Sequence, residues 1–270
     1  MATRHTYPGS AVVYRGRSTF DDQPIVAVVT GLRRSSNNPK TGPMAQLWIL
    51  RADVNPNRAI ETRADYSVCG DCPLRGDRHG RSRACYVTVS HSPGWIYRAF
   101  RAGRYRELEP AAVARILEST GRSIRLGAYG DVTAMPVWVV DELVGSGKTG
   151  IRWTGYTHQW RDHVAQLFKP YLMASVDTLG QSQRAQAAGW RTFRTRVAEL
   201  PLFPAGLAAG EIACPAAAES GHSTTCDRCG LCNGVRRSGD QRRSIAIVAH
   251  GNSAVHFAKW VSKQEMERTQ

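Results

Sequence analysis

From about residue 109 the chain alternates short apolar runs with stretches of helical spacing. Pro110 suits the first turn of a helix, with Val113, Ile116 and Leu117 on one face and Gly121 at its end. Residues 123–129 read as a strand, and Pro136 opens a helix carrying Val140, Leu143 and Val144 that stops at Gly145 or Gly147. A strand at 151–156 precedes a helix with Trp160, Val164, Leu167 and Phe168. Strands at 171–176, 190–194 and 244–249 complete the series, with a Gln/Ala-rich helix running up to Gly189. Before residue 109 the pattern supports strands at 24–30 and 46–50 and is otherwise irregular over 1–45. Strands alternating with helices predict βαβ units and a parallel sheet. The expected fold is α/β, a partial or complete (β/α) barrel with a cysteine-rich insertion before the last strand; a doubly wound sheet is the alternative. One domain, 1–270, is expected. It divides into an N-terminal region 1–108 with a first cysteine group, a βα core 109–200, an insertion 201–240, and a last strand and helix 241–270.

In either architecture the site lies at the carboxyl ends of the strands. Polar residues collect there: Gly130-Asp131, Tyr156-Thr157-His158-Gln159, Asp177-Thr178, Thr195-Arg196 and His250-Gly251-Asn252. Each is a good helix cap taken singly, but five at one rim point to a cavity. Asp131, His158, Asp177 and His250 are the candidate catalytic residues. Gly145-Ser146-Gly147-Lys148-Thr149-Gly150 lacks the upstream glycine of a P-loop and is expected to end a helix.

The 270 residues are 42% apolar and 21% charged, as in an ordinary folded protein. No run is long enough to cross a bilayer, and no apolar segment follows the first residues, so a cytoplasmic location is expected. Lys and Arg number 36 against 22 Asp and Glu, a net charge of +14 that points to nucleic acid as partner. Between Trp95 and Arg106, Arg98, Arg101, Arg104 and Arg106 interleave with Trp95, Tyr97, Phe100 and Tyr105. Arginines neutralise phosphates and aromatic faces stack on unpaired bases, which makes Arg98, Arg101, Arg104, Arg106, Tyr97 and Tyr105 candidate nucleic-acid contacts. An amphipathic helix with its aromatics in the core fits the same spacing.

Seven cysteines in a reducing compartment argue for metal or catalysis rather than disulfides. Cys214, Cys226, Cys229 and Cys232 form a Cys-x11-Cys-x2-Cys-x2-Cys group. Four thiolates can hold zinc or a [4Fe–4S] cluster, and the spacing leans to the cluster. Cys69, Cys72 and Cys85 form a group of three. An iron–sulfur cluster held by three thiolates leaves one iron open, the arrangement with which radical S-adenosylmethionine enzymes chelate their cofactor. Their usual Cys-x3-Cys-x2-Cys spacing is not kept here, so the likeness lies in cysteine number and placement. The alternative is a closed Cys3His zinc site completed by His79 or His91.

Asn38-Pro39-Lys40-Thr41-Gly42-Pro43, the Cys69/Cys72/Cys85-Tyr86 group, Arg125-x-Gly127-x-Tyr129-Gly130-Asp131 and Thr154-Gly155-Tyr156-Thr157-His158 resemble a family of uncharacterised cysteine-rich phage and mobile-element proteins. The family is named after a mycobacteriophage gene product and implies no established activity. Gly127–Asp131 also resembles the Gly-Gly-Glu segment with which radical-SAM barrels bind the amino group of S-adenosylmethionine. That likeness would place Gly130 and Asp131, with Cys69, Cys72 and Cys85, at the cofactor. The leading expectation is a radical-SAM-like iron–sulfur enzyme acting on nucleic acid or a nucleotide, the second cysteine group holding an auxiliary cluster. The alternatives are a non-catalytic nucleic-acid-binding protein with structural zinc or iron–sulfur sites, and a zinc-stabilised barrel that exchanges or excises a base with Asp131 or Asp177 as nucleophile.

Overall fold

The structure is a computed structural model describing residues 7–34, 36–76, 83–145, 149–197, 206–217, 220–221, 224–251 and 253–269, the last six as backbone. His79, Gly147, Lys148 and Asn252 therefore lie outside the described residues. The antiparallel strands β1 (Ser10–Arg17), β2 (Pro24–Thr30) and β3 (Ala45–Arg51) open the fold. Helices α1 (Pro56–Thr62), α2 (Tyr66–Cys69) and α3 (Ser92–Arg101) follow, then the short β4 (Arg106–Glu107). The regular half comprises α4 (Pro110–Ser119), β5 (Ile124–Tyr129), α5 (Val137–Val144), β6 (Trp153–Thr157), β7 (Met173–Val176), α6 (Leu179–Ala187) and β8 (Thr192–Arg196). It ends with β9 (Glu211–Ala213), α7 (Cys226–Cys229), β10 (Ser244–Val248) and α8 (Ala254–Thr269).

All ten strands join one sheet in the order β4-β1-β2-β3-β5-β6-β7-β8-β10-β9. From β3 through β10 to β9 every pairing is parallel. Six parallel strands laid flat would hold β3 and β10 about 24 Å apart. Yet Lys40 Nζ, ahead of β3, lies 3.0 Å from His250 Nε2, after β10. The arc is curled, with β4 and β9 as free edges, an α/β arrangement compatible with a partial barrel.

Apolar alternation explains most of these elements. In β2, Ile25–Val29 are buried on both faces, as expected of a strand with neighbours on either side and helices against it. On α4, Val113 and Leu117 are fully buried, and α5 buries Val139, Val140, Leu143 and Val144 before Gly145 ends it in the left-handed region. The stretch with Trp160, Val164, Leu167 and Phe168 is not the expected α-helix. Only a 3-10 turn forms, Val164–Phe168, leaving Leu167 exposed while Trp160 and Phe168 reach the core. The expected strand at 190–194 begins two residues later, because Trp190 and Arg191 instead anchor the connection into β8. β1 is an addition to the expected fold; its polar outer half, Tyr14 to Arg17, hides a strand whose inner half, Ala11–Val13, is buried. Among the described residues no helix is long and apolar enough to cross a membrane.

Two local constraints position the strand ends. Gly130 follows β5 at φ +81°, and a Cβ there would come within 2.8 Å of Ile49 Cβ and of the Ile49 carbonyl on β3. Backbone atoms cannot retreat as a flexible side chain would. Gly130→Ala is therefore expected to cost roughly 2–4 kcal/mol of unfolding free energy in a denaturant titration; a wild-type midpoint would refute the close packing. On β8, the buried Arg194 forks onto Glu211 of β9 at 2.6 and 2.8 Å, fixing the sheet's far edge. Burial alone would raise the Glu211 carboxyl, but the bond and charge of Arg194, with the Ala208 N–H and the Ser182 hydroxyl, together outweigh it and hold the folded-state pKa below the ordinary 4.5. The pair's stabilisation is present above that ordinary value and lost as pH falls through the lowered one. Wild type should thus lose more melting temperature than Glu211→Gln between neutral and acid pH.

Candidate functional site

The concave face of the arc encloses a cavity of about 450 Å³. Alternate residues of the parallel strands face it: Arg125 and Tyr129 on β5, Thr154 and Tyr156 on β6, Phe193 and Thr195 on β8. Cys69, Cys72 and Cys85 line the same cavity, with Asp131, His158 and His250. The carboxyl-end rim expected from the strand pattern and the first cysteine group are thereby brought together.

The loop carrying Cys69 and Cys72 is held by a buried ion pair. Arg75 bonds both oxygens of Asp65 at 2.6 and 3.0 Å and caps the carbonyl of Gly70 at 2.8 Å. Gln159, beyond β6, fastens the loop to the sheet: its Nε2 donates to the Cys69 carbonyl at 3.0 Å and its Oε1 accepts from Asp71 N. Gly70 permits that approach, since a Cβ would lie 2.8 Å from the Gln159 amide. On the opposite side Ser253 Oγ donates to the Cys85 carbonyl at 3.1 Å, and Phe257 of α8 packs in one cluster with Leu74, Ala84, Cys72 and Cys85. Burial pushes the Cys69 thiol well above its usual range, the neighbouring Cys72 adding to it, while Arg75 opposes. Cys85 is likewise raised by burial against the pull of Arg83.

His158 sits between Cys72 and Asp177. Its Nδ1 lies 3.5 Å from Cys72 Sγ, and its Nε2 lies 3.6 Å from Asp177 Oδ2, beyond hydrogen-bond length. Desolvation would lower the imidazole pKa, but the Cys72 sulfur and the Asp177 carboxylate together raise it well above 6.5. Both Asp177 oxygens and His158 Nε2 are buried without a hydrogen-bond partner among the described residues. Among the described residues His158, rather than His91, thus lies beside Cys72, and His91 is exposed at the start of α3.

Asp131 is otherwise placed than a ligand-binding carboxylate needs. Its Oδ1 accepts from Thr133 N and Oγ1, and its Oδ2 accepts from Thr157 Oγ1 and His158 N, all at 2.8–3.1 Å. Its own N–H donates to the Val68 carbonyl at 2.6 Å. Four donors from the chain fill the carboxylate, so Asp131 joins β5, β6 and the first cysteine loop. His250 lies at the cavity's edge, with Nδ1 3.0 Å from the Val248 carbonyl.

The second cysteine group fills the inner face of the arc on the other side of the cavity. Cys214 and Cys232 pack with Met173, Ile245 and Ile247, and Tyr156 and Phe193 lie against them, ring centroids 4.4 Å apart. Backbone bonds fix the group at three places: Cys214 N to Ala246 on β10, Gly155 N of β6 to the Cys232 carbonyl, and Cys226 N to the Lys40 carbonyl. Arg191 gathers the carbonyls of Leu231, Asn233 and Arg243 at 2.7–2.9 Å, which turns the insertion back towards the sheet. Desolvation, with Arg242 nearby, lowers this guanidinium to about 10. Burial pushes Cys214 up to about 11 and raises Cys232 further still.

No protein-family model, curated protein or solved structure matches this chain. Its own geometry must therefore decide which donor sets suit a metal. Among the described residues, no three His, Cys, Asp or Glu side chains converge tightly enough to share a single ion. A four-iron cluster imposes a different demand, because each thiolate binds a separate iron and the sulfurs stand several ångströms apart. Three partly buried thiols line this one cavity, with Arg75 acting on Cys69 and Arg83 on Cys85.

The arginine–aromatic segment is corrected in part. Tyr97 is buried in the core and presents no face for a base, and Tyr105 packs half-buried against the same core. Arg101 donates to the Ala52 carbonyl. Arg98, stacked 4.0 Å from the exposed Trp95, with Arg104 and Arg106, remains at the surface. None of the six lines the cavity. Arg75 carries no signal in the sequence pattern, and Arg125 and Gln159 stand there only inside the resemblance and rim motifs, without roles of their own.

Asp131→Asn places an amide NH2 against donors and should cost roughly 1–3 kcal/mol in a denaturation midpoint. Wild-type stability in that variant would remove the clamp assigned to Asp131.

Proposed function

We propose that the protein is a radical-SAM-like iron–sulfur enzyme acting on nucleic acid or a nucleotide. The observation that carries this reading is the meeting of Cys69, Cys72 and Cys85 at one cavity on the carboxyl-end rim of a curled parallel sheet. Three thiolates would hold a [4Fe–4S] cluster with one iron left for S-adenosylmethionine, and when bound the pair supplies a one-electron cleavage of the sulfonium. Arg75 and Gln159 hold the cysteine loop in place, and α8 with Phe257 keeps water from that side of the cavity. Asp131 holds the His158 backbone N–H, and the Asp177 carboxylate faces the imidazole from its far side at 3.6 Å. Cys214, Cys226, Cys229 and Cys232 would hold the second cluster, with Lys40 and Arg125 offsetting its thiolate charge. The net charge of +14 supports a nucleic-acid or nucleotide substrate.

A second reading rests on the line Cys72–His158–Asp177, the order of a thiol nucleophile, its base and the base's orienting carboxylate. That chemistry has no use for Cys69 and Cys85. Anaerobically purified protein should carry iron and acid-labile sulfide, about four of each per occupied group. Cys69→Ser and Cys85→Ser should each lose the share of the first group. Colourless protein whose Cys72 alone is alkylated and essential would favour the nucleophile, and zinc in both groups would defeat the cluster.

A further inference from the structure

One wall of the cavity, where Tyr86 meets β5, carries a further set of polar groups. Arg125 projects from β5 with the Tyr86 hydroxyl as its hydrogen-bond partner, at 2.5 Å, and makes no ion pair with a carboxylate among the described residues. Lys40 and His250 stand 3.0 Å from each other at the same cavity. Among the described lining residues one is a carboxylate, Asp131, and its oxygens are already filled by four donors. Arg125, and Lys40 with His250 beside it, are the lining groups that would draw an entering anion. Beside the cations lies an aromatic pair, Tyr156 against Phe193. Arg125 pairs in register with Thr154, which puts Tyr156 diagonally across one strand spacing, roughly 8 Å away.

We infer that this wall binds one nucleoside 5′-monophosphate unit, its phosphate on Arg125 and Lys40 and its base against Tyr156 and Phe193. A guanidinium and an ammonium are the usual phosphate donors, and flat rings stack on any base. A cavity of about 450 Å³ suits a small molecule and excludes a duplex, so a strand can deliver only one extruded nucleotide. Tyr86 directly follows Cys85, so the chain that carries the third cysteine also touches the phosphate-binding arginine. The inference deepens the reading above, since it takes the same cavity as the site of chemistry. The competing role for Lys40 and Arg125 is only to offset the thiolates of the second group, Cys226 being near both.

The test uses full-length protein purified without oxygen, its iron content recorded, and calorimetry with the four nucleoside 5′-monophosphates, the matching nucleosides and a short single-stranded oligonucleotide. At least one monophosphate should bind at least tenfold more tightly than its nucleoside. Arg125→Gln should abolish that difference, while Phe193→Ala weakens nucleotide and nucleoside alike. An oligonucleotide whose binding also depends on Arg125 assigns the unit to a strand, and binding of the monophosphate alone assigns it to a free nucleotide. Equal binding of nucleotide and nucleoside by wild type overturns the inference. So does an Arg125→Gln protein that sheds second-group metal but keeps its nucleotide preference. Iron-free protein that still prefers the monophosphate would sink the enzyme reading and leave this one standing; iron-loaded protein indifferent to phosphate would do the reverse.

Discussion

The carboxylate of Asp131 is the point on which the rest of the site depends. Buried charge is costly unless fully paired, and here four donors from Thr133, Thr157 and His158 meet two oxygens. Those donors belong to the turn after β5 and the end of β6, so neither strand end can shift without exposing an unsatisfied charge. Burial pulls the carboxyl towards protonation, and the donors hold it back. Its N–H reaches Val68, next to the first cysteine, so the same residue sets the height of the first cysteine loop above the sheet. Gly130 completes the constraint by letting the chain pass within contact distance of β3.

The two cysteine groups then divide the concave face between them. One covers the carboxyl-end rim with help from α8, and the other fills the inner face between β6, β7, β8 and β10. The interior of a closed (β/α) barrel is ordinarily packed with branched apolar side chains. Here Cys214 and Cys232 occupy part of that volume beside Met173, Ile245 and Ile247, leaving Arg125 and Tyr156 to face open space. Thiols buried this deeply stay neutral unless a cation takes the proton's place, which is the condition a bound metal satisfies.

Much of this was legible in the sequence because it follows from periodicity. Pro110, Pro136 and Gly145 punctuate helices as expected, and the apolar runs from β2 to β10 mark the strands. The antiparallel start was harder to see: β1 alternates Tyr14, Arg15, Gly16 and Arg17 at an exposed end, and a β-bulge interrupts its register between Val12 and Tyr14. The 160–168 stretch misled because a helical spacing of apolar residues also fits a bent connection in which only some of them reach the core. At the site, the rim residues were visible as polar groups after strands. Spacing alone gave no sign that Asp131 is saturated by its own chain, or that His158 rather than His91 stands beside Cys72. Nor could it separate Tyr97 in the core from Trp95 in solvent, since both suit an arginine-flanked helix.

The position of α8 in the chain has a consequence for assembly. Both cysteine groups lie upstream of residue 254, whereas Phe257 and Val261, which cover the first group, come after it. During synthesis the cysteine loops and the strands of the curled sheet are therefore made before their cover. The rim beside Cys72 and Cys85 is closed only once α8 docks, so the order of the sequence separates the making of the site from its covering.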